Sequence, residues 1–220
     1  MRQLPPPPLP FLMSDQDLKI QRGSTRGRWR NWDSEAAPCV LFKSAFLMWA
    51  VSNQNGRCAY CALEINDDVS RSITVDHFAP KDTHPRWTFY AQNLVLSCNT
   101  CNTKLKKAFD PMIVPRGESS ASVPYESCGY SLVHPYFDRV AVHFKGGYKL
   151  DGSPPTAIAA ISDEGRATVR VFKLDSPGRL GTWMRDYLMT TVVPSNLTGV
   201  PDGTAKFLAL KVELSTPPSF

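Results

Sequence analysis

The sequence lacks any hydrophobic run long enough to cross a membrane as a helix. It also lacks a signal-peptide core, because prolines 5–8 interrupt the apolar residues near the start of the chain. We find no internal repeat. With 220 residues and a hydrophobic content of 42%, the composition predicts a globular protein with one sizeable core or two small ones. We expect this protein to act in the cytoplasm and to have no membrane partner.

The chain also has little excess charge, since its net charge is +5. This value alone does not identify a partner, because many proteins that bind no polyanion are equally basic. The distribution is more informative, since five cations and one anion, Asp82, lie between residues 81 and 107. The stretch predicts contact with a polyanion, although its lysines could instead offset the negative charge of a metal-bound thiolate cluster. The five cations are Lys81, Arg86, Lys104, Lys106 and Lys107.

Six cysteines are present, and four of them form two Cys-x-x-Cys pairs. In a chain without an export signal, this spacing favours a metal site over disulfides. Four thiolates suit tetrahedral zinc, whereas a redox-active dithiol would leave one of the two pairs unexplained. Cys39 lies in an apolar stretch and is predicted to be buried, and we assign no role to Cys128. The predicted structural zinc ligands are Cys58, Cys61, Cys98 and Cys101.

Composition divides the chain into three predicted segments. Residues 1–35 are basic and rich in proline, and we expect a flexible arm. It either contacts nucleic acid or is a solvated tail whose tryptophans, Trp29 and Trp32, dock on the core. Residues 36–115 hold the cysteine pairs and are predicted to form the functional core. Residues 116–220 are predicted to form an α+β extension that contacts substrate or a partner.

Periodicity predicts the elements of the core. Apolar residues at three- and four-residue intervals indicate a helix over Pro38–Asn53. Two β-branched segments, Ile73–Val75 and Leu94–Leu96, are suited to a two-stranded ribbon. Residues 99–109 are predicted to form a helix that Pro111 ends. The fold class is therefore α+β, with a ribbon followed by a helix.

The extension shows weaker patterns. Alternating apolar residues at Val140 to Phe144 and at Val169 and Val171 are typical of strands. A further helix is predicted after Ser176, which can cap it, with Pro177 in its first turn.

Polar residues recur in a fixed order between the cysteine pairs. Asp76 and His77 end one β-branched run, Asn93 precedes the next run, and Asn102 lies in the first turn of the following helix. Singly, each would more often be a capping or solvated residue. A carboxylate and an amide oxygen suit a hard cation such as Mg²⁺ or Mn²⁺, and histidine can accept a proton near neutral pH. This order indicates a hydrolytic site beside a structural zinc.

Three segments, Val75–Lys81, Asn93–Cys98 and Cys101–Lys104, together resemble the motif of HNH nucleases, the ββα-metal family. The likeness covers residues 56–109 and implies a zinc-stapled ββα-metal core with an N-terminal helix and arm. It also implies metal-dependent hydrolysis of phosphodiester bonds in DNA, with RNA not excluded.

The resemblance implies a role for each motif residue. His77 would be the general base, and Asn93 would hold its ring in the productive orientation. Asp76 and Asn102 would hold a catalytic Mg²⁺ or Mn²⁺ ion. The third motif letter is Asn102 rather than histidine, which favours harder ions over zinc or nickel.

Several nearby residues carry open alternatives. Lys81 and Lys104 could contact phosphates or supply surface charge, and His84 could touch substrate or be a solvated loop residue. The block His134–Asp138 resembles one that follows the nuclease core in bacterial HNH proteins, including retron- and Septu-type phage-defence systems. That likeness implies a defence role with a partner such as an ATPase, whereas the block could simply pack an aromatic pair. The alternative function is a non-catalytic zinc module that binds nucleic acid or a protein.

Overall fold

A computed structural model describes the protein over residues 3–8, 32–66, 71–113, 125–149 and 151–192. Most of the predicted arm, including its arginines, lies outside these residues. Within them, no helix has both the length and the apolar character needed to cross a membrane. The described chain mixes helices with three small antiparallel sheets of two strands each, as the predicted α+β class requires.

Helix α1 spans Ala37–Asn53, with Pro38 in its first turn, and confirms the predicted helix. Its buried residues are spaced by three or four positions, so that one face of the helix packs on the core. Gln54, at its C-terminus, joins the helix to the ribbon through two hydrogen bonds with the backbone of Leu96, each 2.9 Å long. The buried residues of the helix are Cys39, Phe42, Phe46 and Ala50.

The predicted ribbon is present as β1, Ile73–His77, paired antiparallel with β2, Leu94–Cys98. Val75 lies opposite Leu96, and His77 lies opposite Leu94. All of β2 is buried, which explains its continuous apolar run. The ribbon therefore places Asp76 and His77 at the end of a strand that is anchored in the core.

The helix after the ribbon is a π-helix, Thr100–Lys106, and is shorter than predicted. The amide of Lys107 donates to the carbonyl of Asn102 at 2.7 Å, a bond that spans five residues. Lys107 adopts a positive φ of 53°, which ends the helix before Pro111 can do so. The wider turn brings Lys106 to the buried side, where only 2% of the residue is exposed.

After the first π-helix, the described residues form two more small sheets and two α-helices. Strand β3, Met112–Ile113, pairs with β4, Gly129–Tyr130, and β5, Phe144–Gly147, pairs with β6, Thr156–Ala160. Helices α2 and α3 follow at Asp163–Phe172 and Pro177–Tyr187, and a second π-helix completes the described chain at Leu188–Val192. Short 3-10 helices lie at Pro85–Trp87, Ala91–Asn93, Tyr125–Ser127 and Val140–Val142.

Two strand predictions in the extension were wrong. Val140 to Val142 form a 3-10 helix, so that only Phe144 of that pattern enters a strand. Val169 and Val171 lie in α2, because Ser162 caps that helix by accepting a hydrogen bond from the Gly165 amide. The predicted helix after Ser176 is confirmed as α3, although the Ser176 hydroxyl bonds the Lys173 carbonyl instead of capping α3.

The core joins α1, β2 and the helices of the extension in one cluster of buried side chains. The indole of Trp183, from α3, donates to the carbonyl of Cys61 at 2.7 Å. Asp186, also from α3, pairs with Arg57 at 2.6 Å. The extension therefore packs directly against the first cysteine pair. The division of the chain into three segments stays a prediction.

Residues 3–8, the described part of the proline-rich start, contact the core. The flexible arm over residues 1–35 stays a prediction. Leu4 is buried, and its amide donates to the carbonyl of Pro135 at 2.8 Å. Gln92 bonds the carbonyl of Pro7 at 3.3 Å. An extended proline segment leaves its carbonyls unbonded within itself, so they are available to neighbouring donors.

Candidate active site and metal centre

The four paired cysteines form one buried cluster. Their sulfur atoms lie within 4.8 Å of one another, and Cys61 Sγ is 3.9 Å from Cys98 Sγ. Tetrahedral zinc with bonds of about 2.3 Å requires sulfurs about 3.8 Å apart, so this geometry fits zinc. All six cysteines are described, and none forms a disulfide, which removes the crosslink alternative. The ligand set is Cys58, Cys61, Cys98 and Cys101.

The four thiols shift one another's pKa in opposite directions, lowering those of Cys61 and Cys98 and leaving those of Cys58 and Cys101 raised. Hydrogen bonds from the Cys101 and Cys58 thiols hold the pKa of Cys61 well below its ordinary value, whereas burial raises that of Cys58. Thiolate is the form that binds zinc. The first pair lies in a tight turn in which Ala62 has a positive φ of 60°, and the second pair links β2 to the π-helix. One ion would therefore tie the ribbon to the segment after α1.

The imidazole of His77 has a defined orientation. Its Nε2 lies 2.9 Å from the carbonyl oxygen of Thr88, which can only accept, so Nε2 carries the proton and Nδ1 keeps its electron pair. Burial lowers the pKa of His77 to about 3. The ring is therefore neutral near pH 7, and the same burial makes it a weaker base than a solvent-exposed histidine.

Asn93 acts on the backbone, which corrects the expectation that its amide holds the histidine ring. Its Oδ1 accepts from the amide of Ala79 at 2.7 Å and from the hydroxyl of Tyr125 at 3.0 Å. Its Nδ2 donates to the carbonyls of Ala79 and Trp87 at 3.0 and 3.1 Å. These four bonds use the full capacity of the amide. Asn93 therefore fixes the loop that presents the Thr88 carbonyl to His77.

The block His134–Asp138 supports Asn93. His134 is completely buried, and its Nε2 lies 3.0 Å from the hydroxyl of Tyr125, which in turn donates to Asn93. Its Nδ1 accepts from the Tyr136 amide at 3.1 Å. Desolvation lowers the pKa of His134 well below its ordinary value, so the ring is neutral. The block therefore packs and hydrogen-bonds within the core, as its physical alternative predicted.

Asp76 is buried and has two protein partners. Its Oδ2 accepts from the hydroxyl of Tyr60 at 2.5 Å. The ammonium of Lys106 lies 3.3 Å from each of the two carboxylate oxygens and donates to the carbonyl of His77 at 2.8 Å. Burial raises the pKa of Asp76, and Lys106 opposes that shift.

Asn102 lines the same cavity as Asp76 and His77, a space of about 490 Å³. The Nδ2 of Asn102 donates to Thr74 Oγ1 at 3.2 Å, which leaves the amide oxygen as the ligand atom for a cation. The carboxylate and amide oxygens fit a hard divalent ion in donor type. Within the described residues, no second cluster of three or more His, Cys, Asp or Glu ligands accompanies the four cysteines.

Trp32, a residue of the predicted arm, covers the ring of His77. Its ring centroid lies 4.5 Å from that of His77 in an edge-on arrangement, and it lines the same cavity. Lys43 holds this segment by donating to the Trp32 carbonyl at 2.9 Å. Asp33 lies 3.9 Å from Lys81.

The predicted cationic stretch is divided by the fold. Lys81 and Lys107 line the cavity, whereas the guanidinium of Arg86 stacks over Trp87 at 5.3 Å. Lys104 is exposed. Lys106 was predicted to contact nucleic acid, but its ammonium is buried against Asp76 and is not available at the surface.

His84 was expected to be a solvated loop residue, and the structure corrects this expectation. It is buried, and its Nε2 lies 2.6 Å from the carboxylate of Asp110. Its ring lies tilted on Trp87 with centroids 5.1 Å apart.

Tyr60 and Thr88 were not predicted from the sequence, and neither were the contacts of Lys106 with Asp76 and of Trp32 with His77. Thr88 acts through its backbone, and Tyr60 lies between two cysteines, so neither has a sequence signal. Lys106 lies four residues after Asn102, a helical spacing that places both on one face and was the available clue.

Comparison with known proteins finds relatives of the segment that carries this site. Residues 58–108 match the family model described as HNH endonuclease. The match begins at the first cysteine and includes the ribbon and the π-helix. The segment is therefore similar to HNH endonucleases, and the predicted resemblance and fold class are confirmed.

Two curated relatives are both named Septu protein PtuB. The one from Bacillus thuringiensis is 42% identical over 50 residues, which cover 23% of this chain and 19% of the relative. The one from Bacillus mycoides (strain KBAB4) is 30% identical over 106 residues, which cover 41% of this chain and 35% of the relative. The chain thus spans well under half the length of these relatives, and the predicted likeness to Septu-type proteins is confirmed at this level.

Proposed function

We propose that this protein is a metal-dependent HNH endonuclease that hydrolyses phosphodiester bonds in DNA. The observation that best supports this function is one shared cavity lined by His77, Asp76 and Asn102. In it, the His77 ring is neutral and its Nε2 is bonded to a carbonyl. A base with its lone pair available and oxygen ligands for a hard cation are the two requirements of this hydrolysis.

His77 acts as the general base in this proposal. Its Nδ1 accepts a proton from a water molecule, which attacks phosphorus as the bond to the departing 3′ oxygen breaks. The Thr88 carbonyl accepts the Nε2 proton throughout, so it holds the ring and stabilises the imidazolium that forms. A divalent ion held by Asp76 and Asn102 would stabilise negative charge on the phosphate and the leaving oxygen.

Substrate binding relies on the cations of the cavity. Lys81 and Lys107 line it, and phosphate oxygens are their natural partners. Lys104 and Arg86 are proposed to contact the backbone further from the site. Such contacts position a duplex without reading its sequence, so sequence preference would have to come from other parts of the chain.

We further propose that the four cysteines hold a structural zinc ion and that the protein acts in anti-phage defence in the cytoplasm. The likeness to Septu protein PtuB supports the defence role. A partner protein such as an ATPase is part of the same proposal. If purification of the tagged protein from its native host under gentle conditions recovers no ATPase, the partner proposal fails.

A cleavage assay tests the enzymatic proposal. Supercoiled DNA, linear duplex, single strands, RNA and tRNA are incubated with the protein and Mg²⁺ or Mn²⁺. We expect cleavage of DNA that His77→Ala abolishes and that His143→Ala, a histidine outside the cavity, retains. Nucleic-acid binding without cleavage under every ion would instead identify a non-catalytic zinc module.

A further inference from the structure

Lys106 is a buried charge in the middle of the candidate site. Only 2% of the residue is exposed, although lysine almost never lies fully inside a protein without a partner. It is the last residue of the π-helix Thr100–Lys106. The atoms around its ammonium indicate the role of this charge.

Three oxygen atoms surround the Lys106 ammonium. Both carboxylate oxygens of Asp76 lie 3.3 Å away, and the backbone oxygen of His77 lies 2.8 Å away. Carboxylate and carbonyl oxygens are also the ligands that hard divalent ions take in proteins. The ammonium therefore occupies a cation site made by two consecutive motif residues.

The remaining capacity of Asp76 is small. Its Oδ2 already accepts from the hydroxyl of Tyr60 at 2.5 Å in addition to facing Lys106. A carboxylate oxygen offers two lone-pair directions, and on Oδ2 one of them accepts from Tyr60 while the Lys106 ammonium, which donates to Oδ1, lies 3.3 Å away. A divalent ion bound to Asp76 would therefore use the same carboxylate oxygens that the Lys106 ammonium contacts.

We propose that Lys106 is a built-in cation that competes with a divalent ion for Asp76, an inference that rests on the ion site of the proposed function. Without a divalent ion, the ammonium neutralises the buried carboxylate. When an ion binds Asp76, the ammonium moves off the carboxylate on its flexible four-carbon stem. The cavity that Lys106 itself lines gives it room to do so.

Calorimetric titration of Mn²⁺ into the zinc-loaded full chain tests the competition. Lys106→Met keeps most of the side-chain volume but removes the charge, so we expect it to bind Mn²⁺ at least about tenfold more tightly than wild type. Lys104→Met removes the same charge from an exposed position of the same helix. Its affinity is expected to stay within about twofold of wild type, because solvent screens exposed charges.

Asp76→Asn separates the inference from the proposed function. If this variant loses Mn²⁺ binding and Lys106→Met gains affinity, both stand. If Asp76→Asn loses binding but Lys106→Met shows unchanged or weaker affinity, only the competition is overturned. If Asp76→Asn binds as well as wild type, the proposed ion site is wrong and the inference falls with it.

A measurement on the unaltered protein covers the case in which Lys106→Met does not fold. An amine-selective acylating reagent is added with and without Mg²⁺, and the modified lysines are quantified by mass spectrometry. We expect Mg²⁺ to raise labelling of Lys106 several-fold and to leave labelling of Lys145, an exposed residue of β5, unchanged. Equal labelling of Lys106 in both conditions would overturn the inference.

Discussion

At the scale of single residues, the candidate site separates the group that reacts from the groups that hold it. His77 carries the available electron pair, and Thr88 orients it through a backbone carbonyl. Asn93 touches neither the ring nor the cavity lining, and acts by fixing the intervening loop. A motif residue can therefore act by holding a loop in place and not at the reacting atoms.

Asn93→Ala is expected to destabilise the protein by about 3 kcal/mol, because it leaves buried backbone groups of Ala79 and Trp87 without partners. Tyr125→Phe removes a single hydroxyl from the same network and should cost about 1 kcal/mol. Urea unfolding measures both changes. Equal costs for the two variants would contradict the structural role of Asn93.

Trp32→Ala should uncover the His77 ring, since the indole lies edge-on against it. Diethyl pyrocarbonate reacts with neutral imidazole, so we expect His77 to be modified several-fold faster in this variant. Trp32→Phe keeps an aromatic ring over the histidine and serves as the control. The account of Trp32 as a cover fails if peptide mapping finds the same rate of His77 modification in all three proteins.

At the scale of elements, the metal centre joins pieces that are too small to be stable alone. The ribbon has only two strands, and the π-helix has seven residues. A zinc ion across both cysteine pairs would link these elements to the segment after α1.

The purified protein is expected to contain one zinc ion per chain. Cys98→Ala should lose it together with most of the folded structure, because four ligands are needed to close a structural site. Cys128→Ala removes a buried cysteine outside the cluster and should keep the zinc. Elemental analysis with circular dichroism reads both effects, and zinc retained in Cys98→Ala would refute the assignment.

The elements also show which parts of the structure are encoded locally. Helix α1 and the ribbon were predictable, because apolar residues at three- and four-residue intervals and β-branched runs include most of their buried positions. Val169 and Val171 misled the prediction, since a capped amphipathic helix prevails over two alternating valines. The orientation of His77 was not predictable, because it depends on a backbone carbonyl in a folded loop.

At the scale of the whole molecule, the extension is attached to the HNH-like segment through buried polar contacts. Arg57 pairs with Asp186 at 2.6 Å, and Trp183 bonds the carbonyl of Cys61. The side chains of the ion pair are 11% and 4% exposed, so the charges are shielded from water. This attachment predicts that the two parts unfold together.

Asp186→Ala is expected to destabilise the protein by about 3 kcal/mol, because it leaves the Arg57 charge buried without its partner. The double variant Arg57→Met with Asp186→Leu should be less destabilised, since no charge then remains buried. Thermal unfolding followed by fluorescence and circular dichroism provides the comparison. Two separate transitions in wild type, or a double variant less stable than Asp186→Ala, would argue against this coupling.

The most direct test of the central claim is rescue of the proposed base by a small molecule. Plasmid cleavage by His77→Ala in Mn²⁺ is measured with and without added imidazole. We expect a loss of about 10²- to 10⁴-fold relative to wild type and partial recovery when imidazole is present, because a general base contributes that much. Cleavage by His77→Ala at the wild-type rate would contradict the account.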